Sequence, residues 1–137
     1  MADNFKVTKA IDFCYGHRLR DYDGKCKNVH GHNGHAEFDL TSTKLDKRSM
    51  VVDFSDIADA MRAWINKNLD HAMLMRKDDP MLPIFKKNKQ PCYVLENNPT
   101  AESIAKLLFD KASEMGFPVA EVRMWETPSS FATYRKQ

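Results

Sequence analysis

The chain opens with a stretch in which apolar and polar residues alternate. Between residues 5 and 17, one parity carries Phe5, Val7, Ile11, Phe13 and Tyr15. A period of two with aromatic and β-branched residues is typical of a strand that buries one face. His17 falls on the apolar parity at the end of this predicted strand.

A second strand is predicted over residues 30–41, and its two ends differ in chemistry. Its buried parity holds, in order, His30, His32, Gly34, Ala36, Phe38 and Leu40. This face is therefore apolar at one end and carries two imidazoles at the other. His35 has the opposite parity, so its side chain is expected to point away from the pair.

Two amphipathic helices follow from apolar residues at helical spacing. The first is predicted over residues 56–68, with Ser55 or Asp56 as its N-cap. The second begins after Thr100, a good N-cap, and stops at Gly116.

The rest of the chain is predicted as short strands and one long loop. A short strand is expected over residues 50–54, and a hairpin over 119–126 and 131–135 closes the chain. Residues 75–98 contain several prolines and are predicted as a loop. The order β-β-β-α-α-β-β has no repeating βα unit. It favours an α+β fold, an antiparallel sheet with two helices on one face.

Composition and charge argue against several classes of protein. The length of 137 residues fits a single domain spanning residues 1–137. The 21 basic and 19 acidic residues leave a net charge of only +2, which argues against a dedicated nucleic-acid binder. No apolar run is long enough for a transmembrane helix, so we expect no membrane partner. An odd number of cysteines and no visible signal peptide predict a cytoplasmic protein with free thiols.

The segment Cys26-Lys27-Asn28-Val29-His30-Gly31-His32 carries the strongest chemical signal. Two histidines at i and i+2 on a strand point to the same side. Paired imidazoles suit a tetrahedral Zn²⁺, whose catalytic sites have three protein ligands and one open position. His17 ends the neighbouring strand on the matching parity, so it is the best candidate for the third ligand.

Spacing alone leaves the role of Cys26 open. Its thiolate could be a fourth ligand that closes a structural zinc site, or a nucleophile or base beside an open one. Cys14 has the parity opposite to that of His17, and Cys92 has no ligand type nearby. Both are expected only to pack.

Two acidic positions suggest proton transfer or ligand binding. Asp70 could orient the imidazole of His71 for acid–base chemistry near neutral pH, although the two could also form a solvated helix end. Glu126 lies on the apolar parity of its predicted strand, where an acid needs a partner. Arg123 or Arg135 could be that partner. Alternatively, the carboxylate could accept two N–H bonds from the edge of a pterin or guanine ring.

Taken in order, these motifs resemble the 6-pyruvoyltetrahydropterin synthase superfamily. The matching pieces are Phe13-Cys14-Tyr15-Gly16-His17-Arg18-Leu19, Cys26-x3-His30-Gly31-His32, Val52-Asp53-Phe54, Leu69-Asp70-His71, Asn98-Pro99-Thr100-Ala101-Glu102, Trp125-Glu126-Thr127 and Tyr134-Arg135. They cover nearly the whole chain except about residues 75–96. Three residues separate Cys26 from His30. This spacing is similar to that of the 6-carboxytetrahydropterin synthases of queuosine synthesis, whereas the pyruvoyl-forming branch typically has five.

The resemblance implies a zinc-dependent lyase. The enzyme would convert 7,8-dihydroneopterin triphosphate to 6-carboxy-5,6,7,8-tetrahydropterin, acetaldehyde and triphosphate. The implied zinc ligands are His17, His30 and His32. The implied catalytic residues are Cys26 as the base, with Asp70 and His71 as a second proton-transfer unit. The implied substrate-binding residues are Glu126, which would anchor the pterin ring, with Thr100 and Glu102 near the same pocket.

The resemblance also implies an assembly. The family's tunnelling fold is a small antiparallel sheet of four strands with two helices on one face, and its subunits form a barrel. The usual oligomer is a hexamer of two trimers, with sites between subunits. Independently of the resemblance, Arg18, Arg20, Lys25 and Lys27 flank the site in sequence and could hold the triphosphate. The lysines of residues 86–89 are expected to be solvated.

Two alternatives to this interpretation stay open. One is the pyruvoyl-forming synthase, which acts on the same substrate and gives a different product. The other is a non-catalytic zinc- or pterin-binding module in which Cys26 closes the metal site.

Overall fold

The computed structural model describes residues 3–137 and contains one six-stranded mixed sheet. The strands are β1 (Phe5–His17), β2 (His30–Ser42), β3 (Ala72–Arg76), β4 (Cys92–Leu95), β5 (Val119–Thr127) and β6 (Ser130–Arg135). The helices are α1 (Phe54–Asn68), α2 (Leu82–Lys87) and α3 (Ala101–Glu114), and a 3₁₀ turn spans Lys25–Lys27. The strand order is β4-β3-β1-β2-β5-β6. The fold is α+β, as the sequence predicts.

Four strands form the antiparallel part of the sheet. β1 pairs with β2, β2 with β5, and β5 with β6, all antiparallel. They are the two predicted long strands and the predicted hairpin. The ladder between β1 and β2 places His17 opposite His30 and Tyr15 opposite His32. Phe13, Tyr15 and His17 are buried, so the predicted alternation of β1 is confirmed.

The expectation of a four-stranded antiparallel sheet is wrong, because β3 and β4 extend the sheet in parallel. β3 pairs with β1, and β4 pairs with β3. The sequence of β3 is the short run Ala-Met-Leu-Met-Arg, and its first four residues are buried. A strand covered on both faces has no alternation of period two, so the pattern cannot distinguish it from a helix end.

The segment predicted as a long loop is largely folded. Leu82 of α2 packs with Met73 and Met75 of β3 in a small second core. Arg18 donates two hydrogen bonds to the carboxylate of Asp79, from Nε at 2.8 Å and from Nη2 at 2.6 Å. Asp79 is only 2% exposed. This ion pair therefore ties residues 77–91 to the end of β1.

The strand predicted over residues 50–54 is also wrong. Helix α1 begins at Phe54, and Asp53 is its N-cap. The Oδ1 atom of Asp53 accepts a hydrogen bond of 2.9 Å from the backbone N–H of Ser55. Apolar residues before the helix, Val51 and Val52, pack against the core without joining the sheet. These two side chains are partly buried by packing alone, and this produces the strand-like pattern.

Helices α1 and α3 cover one face of the sheet, as predicted. Buried residues of both helices share one core with β1, β2 and β5. Helix α3 has Thr100 as its N-cap, and Gly116 with φ of 90° lies just beyond its end. The loop before α3 consequently reaches the end of the sheet that carries the histidines. Among residues 3–137, no helix has the length and apolar character needed to cross a membrane.

Candidate metal centre and active site

His17, His30 and His32 converge at one end of the core. Each offers one ring nitrogen, and these three atoms lie within 4.8 Å of one another. The ring centroids are 4.5 Å apart for His17 and His30, 5.0 Å for His17 and His32, and 5.1 Å for His30 and His32. The geometry follows from the ladder, which sets the end of β1 beside the start of β2.

Hydrogen bonds to the rings of His17 and His30 determine which nitrogen of each ring is free to bind a metal. Nδ1 of His17 lies 2.7 Å from the carbonyl oxygen of Pro99, and Nδ1 of His30 lies 2.7 Å from that of Asn28. Because a carbonyl oxygen only accepts, each Nδ1 carries the proton and each Nε2 carries a lone pair. The Nε2 atoms of all three histidines are buried without a hydrogen-bond partner. Such a donor set fits a divalent metal, since ligating imidazoles commonly donate their other N–H to a carbonyl.

The protonation of His17 also suits metal binding. Burial lowers the pKa of His17 to about 4, and the hydrogen bond to Pro99 only partly offsets this effect. The nearby His30 and His32 lower it further. The ring is therefore neutral near pH 7, which is the form that binds a metal ion.

Cys26 lies in the 3₁₀ turn and lines a cleft beside the histidines. The cleft has a volume of about 520 Å³ and is lined by His17, Leu19, Cys26, Thr100, Ala101, Glu102, Glu126, Ser130, Phe131, Ala132 and Thr133. Among residues 3–137, the group of donor atoms within 4.8 Å of one another consists of the three histidines alone. Cys26 is thus beside the candidate metal ligands and not among them, which favours an open site over a closed one.

Glu126 enters the same cleft without an arginine partner. Its Oε2 atom lies 3.9 Å from Nε2 of His32. Arg123 is occupied by other acids of the sheet, namely Glu37, Asp39 and Glu121. Arg135 contacts Glu121 instead. Among residues 3–137, neither Arg123 nor Arg135 therefore pairs with the carboxylate of Glu126, so the structural partners that the sequence offered for it are not used.

Thr100 and Glu102 reach the cleft because α3 begins there. The Thr100 hydroxyl accepts a hydrogen bond of 3.2 Å from the backbone N–H of Ser103, so it acts as the helix cap. Glu102 lies in the first turn of the helix. Both predicted residues are thus placed with Cys26 and Glu126.

Asp70 and His71 form a contacting pair. Oδ2 of Asp70 lies 2.8 Å from Nδ1 of His71, and Oδ1 accepts a bond of 3.0 Å from the backbone N–H of Cys14. Burial opposes ionisation of Asp70, but these two bonds outweigh burial and lower its pKa. His71 is 78% exposed and lines a second cleft with His30 and His32. Cys26 and His71 therefore lie in different clefts that both border the histidines.

Two residues set aside by parity, His35 and Cys14, are not among the grouped donor atoms, although Cys14 lines the second cleft with His71. Nδ1 of His35 lies 2.5 Å from Oδ1 of Asp12 on the opposite face of the sheet. The Cys14 thiol donates to Oδ1 of Asn33 at 2.9 Å. Both positions agree with the expected orientation of their side chains.

The residues expected to hold the triphosphate are only partly available. Arg18 is committed to Asp79. The backbone of Arg20 is held by the side chain of Asn98 through two bonds of 2.8 Å, while its buried Nε has no partner. Lys27 makes only a 4.0 Å contact with Asp23. Arg18 therefore has a structural role that its spacing does not reveal.

Comparison with known proteins identifies the family. The family model described as 6-pyruvoyl tetrahydropterin synthase matches residues 6–137. The chain belongs to this family. A relative from Rickettsia conorii, named 6-carboxy-5,6,7,8-tetrahydropterin synthase, is 37% identical over 133 residues, covering 92% of this chain and 96% of the relative. A Haemophilus influenzae protein of the same name is 29% identical over 140 residues, covering 96% and 99%.

Solved structures agree on the fold of this family member. An uncharacterised protein from Wolinella succinogenes superposes with a TM-score of 0.81 at 26% identity, covering 98% of this chain and 99% of that one. The 6-pyruvoyl tetrahydropterin synthase of Caenorhabditis elegans gives a TM-score of 0.73 at 24% identity, covering 100% and 99%. The second likeness is one of fold alone.

Proposed function

We propose that this protein is a zinc-dependent 6-carboxy-5,6,7,8-tetrahydropterin synthase. Its substrate is 7,8-dihydroneopterin triphosphate, and its products are 6-carboxy-5,6,7,8-tetrahydropterin, acetaldehyde and triphosphate. The observation that carries the proposal is the group of three free Nε2 atoms beside the cleft of Cys26 and Glu126. The name shared by the Rickettsia and Haemophilus relatives supports this choice within the family.

His17, His30 and His32 hold the zinc in this proposal. Three neutral imidazoles with one open position are typical of catalytic zinc. Zn²⁺ bound there supplies Lewis-acid polarisation of the oxygens on the substrate side chain. The carbonyl oxygens of Pro99 and Asn28 keep the rings of His17 and His30 oriented for this role.

Cys26 and the Asp70–His71 pair move the protons. The Cys26 thiolate takes a proton from the substrate side chain, since it lines the cleft and stays outside the metal donor set. His71, oriented by Asp70, exchanges a proton on the other side. The pterin ring is reduced at the expense of the side chain: the carbon attached to the ring is oxidised to the carboxylate, its bond to the next carbon breaks, and the other two carbons leave as acetaldehyde after loss of triphosphate. Water is the only co-reactant in this balance, so no nicotinamide or flavin takes part.

Glu126 anchors the pterin ring. A carboxylate can accept two parallel N–H bonds from the amino group and ring nitrogen of a pterin. Glu126 is free of arginine partners and faces the cleft. Thr100 and Glu102 form the wall of the same pocket at the start of α3.

The chain acts as one domain and assembles into a homohexamer of two trimers. Both edge strands of the sheet, β4 and β6, lie open in the single chain, and open edges are natural pairing sites. His71 is largely exposed, and a neighbouring subunit would cover it. Light scattering coupled to size-exclusion chromatography measures the molar mass of the assembly, and we expect the mass of six subunits. A monomer would contradict it.

The reaction belongs to queuosine biosynthesis in the cytoplasm, where Cys26 stays reduced and forms no disulfide. The three cysteines are unpaired in the structure, in keeping with a reducing compartment. Purified protein stripped of metal by a chelator should not consume 7,8-dihydroneopterin triphosphate, and added Zn²⁺ should restore turnover. Equal turnover with and without metal would contradict the proposal.

A further inference from the structure

Tyr15 carries a polar group that none of the roles above uses. Its side chain is 3% exposed, and its hydroxyl is buried without a hydrogen-bond partner. The ring lies against two of the candidate metal ligands, with centroids 5.2 Å from His17 and 5.7 Å from His32. A buried hydroxyl without a partner is unfavourable, because it has lost its hydrogen bonds to water. The position of this hydroxyl beside the candidate site therefore indicates a role there.

The tyrosine ring crosses the sheet towards the strand that carries Glu126. A Cβ at Gly34 would lie 2.9 Å from Cε1 of Tyr15 and 2.6 Å from Cε of Met124. The ring of Tyr15 consequently occupies the space above Gly34, next to Met124 of β5. Glu126 lies two residues beyond Met124, where the β5–β6 ladder is irregular between Trp125 and Thr127, and its Oε2 lies 3.9 Å from Nε2 of His32. A Cβ at Gly34 would require a shift of the Met124 side chain and of the Tyr15 ring.

Glu126 is the acceptor that this hydroxyl can serve. The Nε2 lone pairs of the histidines point to one another and fit a metal. The carboxylate of Glu126 has no arginine partner, and it approaches His32, the same imidazole against which the Tyr15 ring packs. A phenol hydroxyl can donate one hydrogen bond to such an acceptor. Hydrogen bonds to a carboxylate are among the stronger ones in proteins.

We propose that the Tyr15 hydroxyl donates a hydrogen bond to the Glu126 carboxylate in the ligand-bound state and thereby sets the angle at which Glu126 meets the pterin ring. Tyr15 is a positioning residue, because it acts through Glu126 and does not touch the substrate. The proposal rests on the function proposed above for Glu126. It adds a contact that would contribute to pterin recognition, from Tyr15 on β1, whose ring lies above Gly34, to Glu126 on β5.

The test is Tyr15→Phe, which keeps the ring and removes the hydroxyl. Neopterin, an oxidised pterin without the triphosphate, serves as the binding probe in zinc-loaded protein. We expect its Kd to rise about tenfold. The KM for 7,8-dihydroneopterin triphosphate should rise similarly, with kcat within about twofold, because ring binding is shared by ground and transition states. Zinc should stay at one ion per chain.

A matched control is Tyr93→Phe. Tyr93 lies on β4 against Trp64, with centroids 5.8 Å apart, and lines neither cleft. It should leave Kd, KM and zinc content unchanged. An unchanged Kd in Tyr15→Phe would overturn the proposal, and so would loss of zinc, which would assign the hydroxyl to the histidines. If the unaltered protein itself neither binds neopterin nor turns over the substrate, the proposed function fails instead.

The Glu126→Gln background shows whether the hydroxyl acts through Glu126. There, removing the Tyr15 hydroxyl should change the neopterin Kd by less than about twofold, because coupled residues are not additive. The same tenfold loss in both backgrounds would contradict a role through Glu126.

Gly34→Ala is a second test of the position of the Tyr15 hydroxyl, since the added Cβ would displace the ring without removing the hydroxyl. It should weaken neopterin binding at least as much as Tyr15→Phe.

Discussion

His17 and Pro99 are 82 residues apart in sequence, yet Nδ1 of His17 donates a hydrogen bond of 2.7 Å to the carbonyl oxygen of Pro99. The bond joins the end of β1 to the loop that precedes α3. It fixes the tautomer of His17 and turns its Nε2 towards His30 and His32. The site is therefore organised by the fold before any metal arrives.

Loss of any one histidine should remove the metal. We expect His17→Ala, His30→Ala and His32→Ala each to lower zinc from one ion per chain to near zero, because two imidazoles bind Zn²⁺ far more weakly than three. Elemental analysis of dialysed protein measures this. His35→Ala is the matched control, since His35 lies on the opposite face with Asp12. Full zinc in all three variants would show that the metal binds elsewhere.

Cys26→Ala should separate catalysis from metal binding. Cys26 lines the cleft but is not among the grouped donor atoms. We expect turnover to fall at least about 100-fold, the usual size of a lost general base, while zinc stays bound. Cys92→Ala on the edge strand β4 should retain activity. Loss of zinc from Cys26→Ala would instead make Cys26 a fourth ligand and favour a non-catalytic module.

Glu126→Gln should weaken pterin binding without removing the metal. The amide replaces one accepting oxygen by a donor, so one of two N–H bonds to the ring is lost. We expect the neopterin Kd to rise by about 10- to 100-fold, as for a hydrogen bond to a charged group. Fluorescence titration measures it. Release of zinc, or an unfolded protein, would mean that Glu126 has a structural role.

The buried pair of Arg18 and Asp79 should stabilise the fold in a pH-dependent way. Burial opposes ionisation of Asp79, but the hydrogen bonds from Arg18 outweigh it and lower the pKa of Asp79. A folded pKa below the unfolded value means that the stabilisation is present above the unfolded value of about 3.9. It is lost as the pH falls through the folded value.

Asp79→Asn tests this contribution. We expect the free energy of unfolding at pH 7 to fall by on the order of 3 kcal/mol. The difference from the unaltered protein should be constant between about pH 5 and 8 and should shrink below about pH 4. Urea unfolding at several pH values measures it. Asp78→Asn, at an exposed ion pair with Arg76, is the control and should have little effect. A difference that grows in acid would contradict this account.

The parts of the fold with a clear period could be predicted from the sequence. Strands β1 and β2, the final hairpin and the caps around α3 follow from alternation and from Thr100 and Gly116. Strand β3 could not be predicted, because its buried residues show no alternation. The segment after it depends on the contact between Arg18 and Asp79, and no local pattern encodes a partner 61 residues away.

The candidate site shows the same division. Parity places His17, His30 and His32 on one face, and the structure brings their nitrogens together. The parity that identifies His17 also assigns Tyr15 to the core, and a core position gives no indication of a role for the hydroxyl. The sequence did contain one signal: Tyr15 shares its parity with His17, a candidate metal ligand. A tyrosine at such a position brings a hydrogen-bond donor to the site. The lack of an arginine at Glu126 depends on the register of β5 with β2 and could not be read from spacing.

The identity of the reaction products tests the central claim most directly. Zinc-loaded protein is incubated with 7,8-dihydroneopterin triphosphate under reducing, anaerobic conditions, and the products are identified by mass. The account predicts 6-carboxy-5,6,7,8-tetrahydropterin together with acetaldehyde and triphosphate. A product with a pyruvoyl group at position 6 of the pterin ring, formed without acetaldehyde, would contradict it. Such a product would place the protein in the pyruvoyl-forming branch of its family.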